Sequence, residues 1–298
     1  MSSSKVAVVT GSNRGIGFAV IEGLLKSNEY QGDVVICCRN IDQGREAARK
    51  LELKYSNRHG KKIHIQQVSI TDSDTIASLK EFLLKEYGGL DILVNNAAVV
   101  YVDESVAPLT SLATEVINTN YYGTAQVCDR LWSLLRPGAR IVNVSSVNGM
   151  LNWIENEEIK RKLTCCDLSR KDLDCLVEEY LEDVKDGKHK EKGWPTGMMS
   201  VTKASKVFVT ALTNILSRNV DTSQDIIINC AHPGFVRTDA SGGRGFLDPH
   251  EGATSILKGC LVPPGEEPRG KFIWNDCSIV PWDMDREKIQ AILDSYPE

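Results

Sequence analysis

The run Lys5 to Thr10 is followed at once by Gly11-Ser12-Asn13-Arg14-Gly15-Ile16-Gly17, and from Gly15 the apolar spacing turns from strand-like to helical. Glycines at such a junction remove the Cβ atoms that would stand between backbone N–H groups and a phosphate, and the opening helix adds the positive end of its dipole. A second β-branched run follows at the spacing of a dinucleotide-binding unit. That run ends in Cys37-Cys38-Arg39, where an acid would have bonded the free ribose hydroxyl of NAD. Arg39 instead suits a ribose phosphate, and Arg14 adds a second cation in the glycine loop, so NADP(H) is the expected nucleotide.

A second group lies further along. Ser146 follows the run Arg140 to Ser145, and Lys203 opens a helical stretch four residues after Met199. The spacing Ser200-x-x-Lys203 is also found in serine acylases, but nothing else in the chain supports that chemistry. The five histidines show no ligand spacing, and the nine cysteines include the pairs Cys37-Cys38 and Cys165-Cys166 but no C-x-x-C. Neither a disulfide framework, a zinc knuckle nor any metal is expected, and the thiols read as reduced. Thirty-five Lys plus Arg against 40 Asp plus Glu give a net charge of -5 and no footprint for nucleic acid or an anionic membrane. No run of 18 apolar residues exists, and the first apolar run begins almost at Met1 with no room for a secretory leader, so a cytoplasmic protein is expected.

Positioning these groups falls to about seven short β-branched runs: Lys5 to Thr10, Asp33 to Cys38, Lys62 to Val68, Asp91 to Asn95, Arg140 to Ser145, Asp225 to Ala231 and Lys271 to Trp274. Several are continuously apolar, as strands covered on both faces are, and helical stretches such as Gly15 to Lys26, Ile41 to Tyr55 and Asp72 to Tyr87 separate them. The pattern predicts an α/β fold, a Rossmann-type doubly wound parallel sheet with helices on both faces, as one domain over residues 1–298 at ordinary composition. Residues 148–193 break the rhythm as a charged helical insertion: Ile154 to Lys192 carries 12 acidic and 9 basic residues. Inside it Leu173, Leu176, Val177, Tyr180, Leu181 and Val184 form one helical stripe, with Ser169 and Asp172 as caps and Gly187 as a stop.

The glycine motif, Asn95-Asn96-Ala97-Ala98, Asn120 in NTNYYG, Ser146 in NVSSVNG, Lys203 in SVTKAS and Pro233-Gly234-Phe235-Val236-Arg237-Thr238 together resemble the short-chain dehydrogenases/reductases over nearly the whole chain. KEYGGLDILVNNA, GWP and the insertion look like that family's carbonyl reductase (NADPH) branch. The resemblance implies reduction of a small-molecule carbonyl compound (a quinone, aldehyde or ketone) by hydride transfer. It also implies a monomer, because the insertion blocks the helix through which many relatives assemble. It casts Ser146 as the hydrogen-bond donor to the carbonyl oxygen, Lys203 as partner of the nicotinamide ribose and Asn120 as support for a water relay. It places Gly11, Asn13, Arg14, Gly15, Ile16, Gly17, Arg39, Ser69, Ile70, Asn96, Ala97, Pro233, Gly234, Val236 and Thr238 along the cofactor. Asn95 is expected to bridge strands, and His232 receives no role.

The chain departs from this pattern where the proton donor belongs. Met199 stands in the place of the family's tyrosine, and none of Tyr30, Tyr55, Tyr87, Tyr101, Tyr121, Tyr122, Tyr180 and Tyr296 has a lysine four residues on. A thioether holds no exchangeable proton. General acid catalysis is worth about 10²- to 10⁴-fold, so its loss should cripple the rate unless a water held by Lys203 and Asn120, the Lys203 ammonium or, less favourably, Ser200 replaces it. Ser69 replaces an aspartate that accepts the adenine amine, and Ala98 replaces a glycine near the ribose, which predicts weaker nucleotide binding. Phe235, Met150, Trp194 and Met199 are candidates for an apolar cleft or for plain core. The competing reading is a nucleotide-bound module whose catalysis has lapsed and which works through a protein partner.

Overall fold

A computed structural model describes residues 4–55 and 60–295. Its strands are β1 (Lys5–Thr10), β2 (Gly32–Cys38), β3 (Ile63–Gln67), β4 (Leu90–Asn95), β5 (Leu135–Val144), β6 (Ile227–Ala231), β7 (Phe272–Ile273) and β8 (Ile279–Val280). The helices are α1 (Gly15–Lys26), α2 (Ile41–Lys54), α3 (Ser73–Tyr87), α4 (Leu109–Val116), α5 (Thr124–Leu131), α6 (Glu157–Thr164), α7 (Arg170–Lys185), α8 (Ser200–Arg218), α9 (Pro249–Cys260) and α10 (Arg286–Asp294). All strands form one sheet in the order β3-β2-β1-β4-β5-β6-β7-β8, parallel throughout except for the final β7-β8 pair. The seven runs read from the sequence thus become eight strands. A two-residue strand such as β8 is too short to show any periodicity.

Continuously apolar strands are covered on both sides. Every residue of β2 is buried, and neighbouring residues of one strand enter opposite cores. Val8, Val35 and Leu93 join one core with residues of α3, α4, α5, α7 and α8, while Val9, Ile36 and Val94 join the other with α1, α2 and α9. Strand order reverses at β1, which pairs with β2 on one side and β4 on the other. The connections leaving β1 and β4 therefore run to opposite sides of the sheet, a switch point at the strands' carboxyl ends where ligands usually sit in such sheets.

The insertion is more deeply integrated than its charge suggests. Ser169 and Asp172 form a reciprocal capping box at the start of α7, and Gly187 follows its end with φ 71°. Leu173, Leu176, Val177, Tyr180 and Val184 are buried in the same core as α8, and α7 packs on α4 and α8. Trp194 meets Tyr180 and Phe208 edge-on at 5.3 and 5.9 Å and has no exposed surface, so it is core rather than cleft. Met150 is likewise fully buried, with Cys230, Phe272 and Trp274. Among the described residues no helix is long and apolar enough to cross a membrane.

Candidate active site

Gly11 and Gly15 have φ of 63° and 58°, the left-handed region that glycine enters without strain. A Cβ on Gly11 would lie 2.9 Å from Ala97 Cα, and one on Gly17 would lie 2.6 Å from Asn96 Nδ2 and 2.7 Å from Gly11 O, so the turn is pressed against the end of β4. The Thr10 hydroxyl accepts the N–H groups of Asn96 and Ala97 at 3.0 Å each, and Asn96 Nδ2 donates to Thr10 O and Gly11 O at 2.9 and 3.1 Å. Asn95 Nδ2 donates to Asn143 Oδ1 at 2.8 Å, bridging β4 and β5 as expected.

Helix α1, entered from Arg14, has no side-chain cap and no acid in its first turn. By contrast α2, α3, α6, α7, α9 and α10 are capped by Asn40, Asp72, Asn156, Ser169, Asp248 and Asp285. Free N–H groups, an unshielded dipole and glycines without Cβ are what a pyrophosphate requires, so the residues present fit a dinucleotide. Arg14 meets Asp239 at 2.6 Å on the surface, and Asn13 Nδ2 donates to Gln43 at 3.0 Å. Arg39, at the end of β2, is exposed, and its guanidinium has no acidic partner among the described residues. Ile16 is half-buried against the α1, α2 and α9 core, and the Thr238 methyl carbon is 3.5 Å from a Cβ built on Gly15. Gly234 has φ 86°, Val236 is buried, and Pro233 packs near Gly252. Ser69 N donates to Thr75 Oγ1 at 3.0 Å, and its hydroxyl is 3.1 Å from that of Thr71, with Ile70 packed near Gly123.

The chemical groups lie one strand over. Ser146 leaves β5 in extended conformation, and its Oγ accepts the Asn148 N–H at 3.2 Å, opening the turn Val147–Gly149. Trp153 Nε1 donates to Val147 O at 2.8 Å, and Lys203 Nζ sits 4.2 Å over the Trp153 ring, a cation–π distance. Asn148 Nδ2 reaches Met199 Sδ at 3.7 Å, and Lys203 N donates to Met199 O at 2.8 Å. The sequence spacing places residues 199 and 203 on one helix face, but α8 starts only at Ser200. Met199 is its left-handed N-cap residue, with φ 61° and ψ 30°. Its side chain still reaches the Ser146 turn. Ser200 faces elsewhere: its hydroxyl donates to Glu104 Oε2 at 2.6 Å, while Val201 N donates to Glu104 Oε1 at 2.9 Å, so Glu104 caps α8 from a distant loop.

Asn120 lies in a π-helical turn, Ile117–Gly123. Its amide donates to Val99 O at 2.9 Å and Ser205 Oγ at 3.0 Å, and its Oδ1 accepts Val99 N at 2.8 Å; no bond joins it to Lys203. Burial, and then the Arg286 guanidinium, which lies 5.7 Å from the same Trp153 ring, lower the Lys203 pKa from its ordinary value, with Glu104 opposing. One turn on, Lys206 is buried with Nζ 2.6 Å from Val144 O, and burial pushes its pKa down to about 8. His232 Nδ1 accepts the N–H of Val147 at 3.1 Å and of Gly234 at 3.3 Å, and burial drives its pKa down to about 3, so it is a neutral brace and not an acid.

The described tyrosines are all engaged elsewhere. Tyr30 and Tyr87 bond Asp33, Tyr55 bonds Glu22, Tyr101 bonds Glu115 and Tyr121 bonds Asp174, while Tyr122 and Tyr180 pack against aromatic neighbours. Tyr296 lies outside the described residues. Of the apolar cleft candidates only Met199 and Phe235, which is 44% exposed, remain accessible. Sequence reasoning missed Glu104 and Arg286, which reach the site across long stretches of chain and carry no motif, and Trp153 and Asn148, which lie close to Ser146 in sequence but whose contacts with Lys203 and Met199 cross about fifty residues.

The family model of the short chain dehydrogenases matches residues 5–157. The chain is 38% identical over 289 residues to carbonyl reductase (NADPH) 1 of Mus musculus, covering 95% of this chain and 100% of that one. It is 35% identical over 277 residues to the Homo sapiens protein of the same name, covering 91% and 96%. Among solved structures, salutaridine reductase from Papaver somniferum aligns with a TM-score of 0.79 at 31% identity, covering 92% of this chain and 100% of that one. The NADPH-bound carbonyl reductase from chicken fatty liver shares the fold, with a TM-score of 0.67 at 21% identity, 95% of this chain and 100% of that one. With a glycine turn at the sheet's crossover point and the Val147–Gly149 turn after Ser146 joined through Trp153 to Lys203, sequence and geometry agree that the chain belongs to the short chain dehydrogenases.

Proposed function

We propose that this protein is an NADPH-dependent reductase of small carbonyl compounds whose chemical step is slow because Met199 stands where a proton donor belongs. The observation that carries this reading is the convergence on one turn: Ser146 begins it, Trp153 bonds its Val147 and holds the Lys203 ammonium, and the Met199 sulfur meets its Asn148. The names of the Mus musculus and Homo sapiens relatives support the carbonyl substrate class and the nucleotide. The uncapped α1 and the glycine turn would hold the pyrophosphate, and Arg39 with Arg14 the ribose phosphate. When bound, the nicotinamide supplies the hydride.

The protein's part is to steady the charge that gathers on the carbonyl oxygen and to return a proton. The Ser146 hydroxyl donates a hydrogen bond to that oxygen. The proton comes from the Lys203 ammonium, directly or through one water, since burial beside Arg286 has already made that group more acidic than a free lysine. Lysine serves less well here than a tyrosine aimed at the oxygen, because its ammonium is held over the Trp153 face. We further propose one domain and a cytosolic protein, and a monomer since α7 packs on α4 and α8.

A second reading, a nucleotide-bound module whose catalysis has lapsed, is favoured by Met199 alone. Transfer of deuterium from 4-deuterated NADPH to a panel of quinones, aldehydes and ketones, followed by mass spectrometry over many hours, separates the two. Labelled alcohol, or hydroquinone formed without label because its deuterium exchanges with water, appearing above the enzyme-free rate and lost in Ser146→Ala, supports the reductase. Tight NADPH binding with neither labelled alcohol nor hydroquinone formed from any substrate supports the lapsed module.

A further inference from the structure

We propose that Cys165, Cys166 and Asp167 form a binding site for a thiophilic divalent cation of the zinc or cadmium type, on the connection between α6 and α7 and apart from the nucleotide crevice. The two sulfurs and a carboxylate oxygen all lie within 4.8 Å of one another. Ligands bound tetrahedrally at a Zn–S length of about 2.3 Å stand roughly 3.8 Å apart, so small side-chain rotations bring the three donors into place. Adjacent cysteines in an extended loop would point their thiols apart. Here the backbone is turned instead, with Leu168 N donating to Cys165 O at 3.1 Å and Cys165 N to Lys162 O at 3.3 Å.

That turn is also held from outside. Arg218, on α8, donates to Cys165 O at 3.4 Å and to Leu168 O at 3.0 Å, and Leu168 is buried in the main core. The backbone carrying the donors is thus fixed at both ends while the donors themselves are exposed and open to an ion. Among the described residues no other group of three such side chains lies as close, so Cys175 and Cys277 have no comparable partners. Two thiolates select a soft ion over magnesium or calcium, and three protein ligands leave the remaining position to water. Binding forms two metal–sulfur bonds and one metal–oxygen bond and releases the two thiol protons to solvent; nothing is oxidised or reduced.

The test uses the full chain, kept reduced with a phosphine that does not ligate as a thiol does, and titrated with cadmium ion. The expected result is an ultraviolet sulfur-to-cadmium charge-transfer band that saturates at one ion per chain, is displaced by zinc ion and is absent from Cys165→Ser/Cys166→Ser. Asp167→Asn should keep the band but weaken binding by at least the roughly tenfold seen when even an outer partner of a metal ligand is lost. The positions are exposed, so the variants should fold, and circular dichroism checks that they do. Absence of a saturable band, or a band of full size in the double serine variant, overturns the proposal; the latter would place the ion on Cys175 or Cys277.

Discussion

Changing Met199 to tyrosine gives the most direct test of how this site works. The residue is held at φ 61° by the start of α8, and tyrosine and methionine are alike in lacking a β-branch, so the substitution adds little backbone cost. The methionine sulfur lies 3.7 Å from Asn148 Nδ2, and Asn148 N in turn bonds Ser146 Oγ at 3.2 Å. A ring leaving the same Cα therefore heads for the Ser146 turn, with Lys203 one helical turn behind it. A positioned acid returns about 10²- to 10⁴-fold in kcat, or roughly 3 to 5 kcal/mol at 1.36 kcal/mol per decade. The assay is NADPH oxidation with quinone, aldehyde and ketone substrates, with Met199→Phe as a control of similar bulk and no proton. A tyrosine variant no faster than the native protein, or a phenylalanine variant that gains as much, would refute the claim that proton delivery limits the rate.

Four further outcomes are expected. If Lys203 gives the proton, the native rate falls as pH rises through its lowered pKa, below the 10.5 of a free lysine, and Lys203→Met removes both the rate and that dependence. Arg39→Ala should weaken NADPH binding by about ten- to a hundredfold, the roughly 1.5–3 kcal/mol of a charge-assisted bond, and leave NADH almost unchanged in a fluorescence titration. Lys206 releases its proton at about 8 in the folded state and 10.5 in the unfolded, so stability rises with pH between those values; Lys206→Met should remove that slope in urea melts and stabilise the protein at pH 7 by up to about 3 kcal/mol. Burial alone would raise the pKa of Glu22, but bonds from Lys54, Tyr55 and His250 hold it at about 2 against an ordinary 4.5, so its contribution is present above pH 4.5 and lost as pH falls toward 2. Glu22→Gln should cost about 1.5–3 kcal/mol at pH 7, with the gap to the native protein closing in acid.

What was legible in the sequence was local. The glycine turn and α1 share one continuous stretch, strands buried on both faces must be apolar at every position, and the Ser169 capping box and the α7 stripe are set by helical spacing. The identity of residue 199 is equally local: a methionine, whose thioether holds no exchangeable proton.

Tertiary packing decided the rest. The α8 spacing could not show that the helix starts at Ser200, because its cap comes from Glu104, 96 residues away. Nor could it show that Lys203 rests on Trp153, that Arg14 meets Asp239 across 225 residues, or that His232 braces the Ser146 turn from β6. Such partners carry no shared motif, since each contact needs only one donor and one acceptor brought together by the sheet. Met150 and Trp194 made the same point in the other direction: an apolar residue beside a site reads alike in sequence whether it lines a cleft or fills a core, and only the close packing of its neighbours assigns it.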